Sequence, residues 1–121
     1  MDVGINIGNH KVIASGSFVT DKEENTLFLD YNGEKLICTF LIKDTTDRSS
    51  SSLRWYPSED GKGIVIEFVG FRDALGKTST EPMLLAKLNS GEDLLLRCVI
   101  RDIGNKIKTV DYTFFLGIKN G

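Results

Sequence analysis

The chain has 121 residues, with 15 basic against 17 acidic side chains, a net charge of −2 and a hydrophobic fraction of 40%. That length suits one domain, 1–121, with a core large enough to fold without metals or disulfides. The interspersed charge shows no basic stripe for nucleic acid, and no apolar stretch approaches a membrane span.

A two-residue alternation of apolar and polar residues runs through the chain, cut by turns containing Gly, Asn and Asp. It predicts an all-β fold, an antiparallel β-sandwich of about eight or nine strands with no long helix. Met1-Asp2-Val3-Gly4-Ile5-Asn6 lacks the basic start and apolar run of a signal peptide, so a cytoplasmic protein is expected. Val3, Ile5 and Ile7 open the first strand, over 3–7. In 11–19, Val12, Ala14 and Phe18 face one way and Ser15 and Ser17 the other; Ile13 and Val19 interrupt the polar side.

The clearest local signal is Tyr31-Asn32-Gly33-Glu34. Asn-Gly between alternating runs favours a two-residue type I′ turn, since both central residues need φ > 0. It pairs Tyr31 with Glu34, Asp30 with Lys35, Leu29 with Leu36, Phe28 with Ile37 and Leu27 with Cys38. One face then carries Leu27, Leu29, Tyr31, Leu36, Cys38, Phe40 and Ile42. The other carries Thr26, Lys35, Thr39 and Lys43, with an Asp30–Lys35 ion pair expected and Phe28, Ile37 and Leu41 as apolar exceptions. A slip of one residue would expose the first face, so burial and turn chemistry select the same register.

The serine-rich segment 44–52 reads as a loop, followed by a short strand over 53–57. The Glu59-Asp60-Gly61 turn leads into 63–70, apolar on both faces and so expected mid-sheet. A second long connection spans 70–81, and a strand over 82–88 follows. Asn89-Ser90-Gly91 turns the chain into 93–103, where Leu94, Leu96, Cys98 and Ile100 oppose Arg97 and Arg101. Gly104-Asn105 turns it into 106–117. There Val110, Tyr112, Phe114 and Leu116 form one face, and Ile107, out of phase, predicts a bulge near Thr109.

The chemistry is mostly negative. Gly70 to Thr78 has five residues, not four, between its glycine and Gly76-Lys77-Thr78, and a strand rather than a helix follows, so no phosphate-binding loop is expected. Cys38, Trp55 and Cys98 follow the immunoglobulin order. However, Trp55 lies too far along, and Leu96 stands where a tyrosine corner would place Tyr. Two small buried thiols are expected instead. Two cysteines and the lone His10 make no zinc set, and no nucleophile elbow or metalloprotease helix is present. No enzyme, metal or cofactor is expected. The alternative is a ligand- or calcium-binding sandwich using the loop carboxylates Asp44, Asp47, Glu59, Asp60 and Asp73.

Arginine and aromatic residues are the types enriched at binding hot spots, which singles out Arg54, Trp55, Tyr56, Phe71 and Arg72 as a candidate interaction patch. Trp55 and Tyr56 must face opposite sides of an extended strand, with Trp55 the better core residue. A site assembled from Arg72, Asp73 and Lys77 is the enzymatic alternative. The expected role is a non-enzymatic protein-binding module, partnered by another protein or by its own copy, with no nucleic acid and no membrane.

The run Ile66-Glu67-Phe68-Val69-Gly70-Phe71, then Leu75-Gly76, Glu81-Pro82 and Tyr112-Thr113-Phe114-Phe115, resembles an uncharacterised family of small bacterial β domains. The first half shares with it only the apolar rhythm and Ser15-Gly16. The resemblance implies a compact bacterial or phage-associated domain and assigns no catalytic or binding residue.

Overall fold

A computed structural model describes residues 10–31, 33–45, 51–71, 82–102 and 107–117. Eight strands follow one another: β1 (His10–Thr20), β2 (Glu24–Tyr31), β3 (Glu34–Thr45), β4 (Ser51–Pro57), β5 (Gly63–Phe71), β6 (Met83–Lys87), β7 (Asp93–Asp102) and β8 (Lys108–Gly117). They form two four-stranded sheets, ordered β1-β8-β7-β6 and β2-β3-β5-β4. The result is a β-sandwich, with no helix among the described residues. The expected strand over 3–7 and the Gly104-Asn105 turn lie outside those residues.

The β2–β3 hairpin has the register its turn chemistry demands, from Tyr31↔Glu34 through Leu27↔Cys38. Gly33 takes φ 81°, the left-handed conformation a type I′ turn requires. β3 and β4 reach Thr45 and Ser51, closer together than a 44–52 loop would allow.

Among the described residues the antiparallel expectation holds for every ladder except one: β3 and β5 are parallel, from Ile37↔Gly63 to Thr45↔Phe71. Parallel neighbours need a crossover. Here β4 supplies it, running back antiparallel to β5 on the far side. β5 is therefore inserted between β3 and β4, the mid-sheet place expected of it.

The core is shared by the inner faces of both sheets. Cys38, Phe40 and Ile42 of β3, with Ile64, Ile66 and Phe68 of β5, pack in one cluster with Leu94, Leu96, Cys98 and Ile100 of β7 and Val110 and Phe114 of β8. Phe18 meets Phe40 edge-on at 5.8 Å between ring centroids, and Tyr112 meets Phe114 at 5.6 Å. Phe40 belongs to one sheet and the other three rings to its partner, so the aromatic cluster ties the layers together.

The irregularities fall elsewhere than expected. β8 pairs with β7 in continuous register through Thr109, so no bulge occurs there. Ile107 simply precedes the strand, and Lys108 occupies the inward row. It is buried, with its Nζ 3.3 Å from Asp44 Oδ1 across the sandwich. The register shifts instead between Val12 and Ala14 of β1 and between Leu84 and Ala86 of β6. The first shift separates Val12 from the face of Ala14 and Phe18, leaving Val12 exposed; the second turns Leu85 fully into the core.

Candidate functional site

The side of the β2-β3-β5-β4 sheet turned away from the core can be read row by row from its register. One row runs Thr26, Thr39, Val65, Tyr56; the next runs Glu24, Leu41, Glu67, Arg54. Glu67 is buried although it points away from the core. Arg54 donates to its Oε1 from Nε at 2.7 Å and places Nη2 at 2.6 Å from the same oxygen. Lys43 Nζ lies 3.0 Å from the second oxygen, Oε2. Hydrogen bonds from Lys43 and then Arg54 hold the Glu67 carboxyl below the usual glutamate range, against the opposing effect of burial. The same bond holds the Lys43 ammonium above its ordinary value. Glu67 is therefore a structural anion at neutral pH, poorly suited to proton transfer.

The neighbouring row is Phe28, Ile37, Gly63. Phe28 is 77% exposed, the most exposed of the large hydrophobic residues among those described. Gly63 leaves the β5 side of Ile37 without a side chain. A Cβ there would stand 2.1 Å from the Ile37 carbonyl oxygen. The β4–β5 turn holds this close approach: the Ser58 amide donates to the Gly63 carbonyl at 2.9 Å and the Gly63 amide donates to Ser58 Oγ at 3.0 Å.

Gly63 also lines a cleft of about 1060 Å³ between the tip of the β2–β3 hairpin, the β4–β5 turn and the end of β6. Leu29, Leu36, Trp55, Ile64, Leu85 and Leu88 supply apolar walls, and Phe28 and Ile37 lie on the outer side. Lys35, Lys62 and Lys87 also line it, together with Asp30. Lys87 is ion-paired with Asp93, its register partner in β7.

The five residues singled out in the sequence are divided by this geometry. Trp55 is half-buried, packs against the core and lines the cleft. Arg54 and Tyr56 lie on the opposite face, with the guanidinium 5.4 Å from the Tyr56 ring centroid. The Phe71 backbone ends β5 opposite Thr45, while Arg72 lies outside the described residues, as do Asp73, Lys77 and the Gly76-Lys77-Thr78 segment. Asp44 and Asp60 stand at opposite ends of the β3–β5 ladder, and Asp47 is outside the description. Among the described residues no three His, Cys, Asp or Glu side chains gather closely enough to hold a metal ion. Both cysteines are buried thiols, and burial pushes each up to about 12.

Phe28 and all of the cleft but Trp55 were outside the candidate patch. Phe28 carried a signal in the sequence: it broke the polar phase of its strand. The cleft carried none, because its walls come from strands far apart in the chain.

Among the described residues no helix is long and apolar enough to cross a membrane. No curated protein and no solved structure matches the chain. A family match does cover residues 4–117, well beyond the second half that carried the resemblance in the sequence. With strands from both halves inside that match, the chain belongs to the family described as "Domain of unknown function (DUF6864)".

Proposed function

We propose that the chain is a non-enzymatic, cytoplasmic module that works through protein contacts, with its own copy among the partners it can engage. The bacterial or phage setting of this reading rests on the resemblance in the sequence. The observation that carries the reading is Phe28, 77% exposed beside Ile37 at the edge of the cleft. Burying a phenylalanine side chain is worth roughly 1.5–3 kcal/mol, and an aromatic beside an apolar depression is the kind of anchor protein interfaces use. Tyr56 and Arg54 extend the same face, one and two rows away. Light scattering on the purified chain, with capture from a lysate, tests the reading. Self-association or partner capture that Phe28→Asp abolishes supports it. A strict monomer whose captures are unchanged by Phe28→Asp overturns it.

A further inference from the structure

We infer that the cleft beside Gly63 is a binding site for small amphiphilic anions, an apolar chain or ring system carrying a carboxylate or similar acid. The inference goes beyond the protein-contact reading and stands without it. Small-molecule sites are concave and mostly apolar, with a few convergent polar groups, and typically occupy roughly 300–1,000 Å³. The cleft, at about 1060 Å³, lies just above that range.

Its walls and its charged groups address different parts of one molecule. Leu29, Leu36, Trp55, Ile64 and Leu85 offer an apolar seat reaching in toward the core. The charged side chains lining it are Lys35, Lys62 and Lys87 against Asp30 alone. The lining thus carries more cations than anions in a chain whose net charge is −2, with Asp93 on Lys87 and Asp60 near Lys62 just beyond it. Lys35 and Asp30 face each other across the hairpin, and Lys87 is engaged by Asp93. Lys62, on the β4–β5 turn beside Asp60, and Lys35, on the neighbouring strand β3, are the exposed cations the cleft offers an incoming acid. Gly63 also lines the cleft, where its backbone lies too close to the Ile37 carbonyl for any side chain.

The protein carries its own reporter, since Trp55 is the single tryptophan of the chain and lines the cleft. Decanoate, decyltrimethylammonium and butyrate, each kept below its aggregation concentration, are titrated while Trp55 emission is recorded. Decanoate should shift the emission to the blue saturably, at least tenfold more tightly than the cation of equal chain length, and butyrate should have no effect. The variant Lys35→Glu/Lys62→Glu changes only exposed side chains, and its melting curve checks folding. It should lose the preference for the anion by tenfold or more. Absence of a saturable shift with decanoate, equal binding of the cation, or an anion preference that survives in the folded double variant would each overturn the assignment.

Discussion

Arg54 and Glu67 stand directly opposite each other on β4 and β5, and Nε and Nη2 of the arginine converge on the same carboxylate oxygen at 2.7 and 2.6 Å. Lys43 takes the other oxygen from the parallel strand β3. One carboxylate thus joins three adjacent strands on the face away from the core, and its burial prevents water from replacing the cations cheaply.

Acid should weaken this arrangement. The Glu67 carboxyl is held below its ordinary value of 4.5, so its contribution is complete above that pH and is lost as pH falls through the lower folded-state value. Lys43 is held above its ordinary 10.5, so its contribution is complete below that pH and is lost on further alkalisation. Glu67→Gln should cost about 1–2 kcal/mol at neutral pH, because the cations remain partly solvated, and should flatten the acid limb. Thermal melts of both proteins from pH 7 to 3 check this; parallel acid limbs would contradict it.

Phe28 and Phe40 separate exposure from burial within one sheet. Phe40→Ala should cost about 3–5 kcal/mol, since the ring is buried against Phe18 and the void cannot fully collapse. Phe28→Ala should change stability by less than about 0.5 kcal/mol. Urea denaturation of the two variants gives both numbers, and a large loss at Phe28 would mean that the ring is covered by its own chain.

Gly63→Ala should destabilise by about 2–3 kcal/mol, because the new methyl collides with backbone rather than with a movable side chain. The first β3–β5 pair, Ile37↔Gly63, would have to part. A lowered urea midpoint with faster amide exchange at this end of β3 is the expected signature. Wild-type stability would show that the turn can withdraw.

The thiols of Cys38 and Cys98 should be silent in the native protein. With each pushed up to about 12, only about one in 10⁴ is ionised at pH 8, and both are buried. Ellman's reagent should find no reactive thiol until denaturant is added, and then two per chain. Rapid native labelling would place a path for solvent through the core.

The alternation of side chains was enough to assign the two faces of β7 and the register of the β2–β3 hairpin, because both follow from local geometry. An extended backbone alternates its faces, and Asn-Gly accepts the positive φ of a two-residue turn. The same reasoning placed Trp55 inward and Tyr56 outward. It misplaced the irregularities, because Ile107 is out of phase for lying before its strand, whereas the shifts at Ile13 and Leu85 depend on what each edge strand packs against.

What the chain order did not reveal was which strands become neighbours. The parallel β3–β5 pairing, the Lys43–Glu67–Arg54 cluster and the cleft beside Gly63 each join residues from segments that are separate in sequence. Alternation states only that a side chain leaves one face or the other. Whether that face meets a second sheet, an ion pair or open space is settled when the sheets close, so the core was written in the local pattern and the candidate binding surface emerged only in three dimensions.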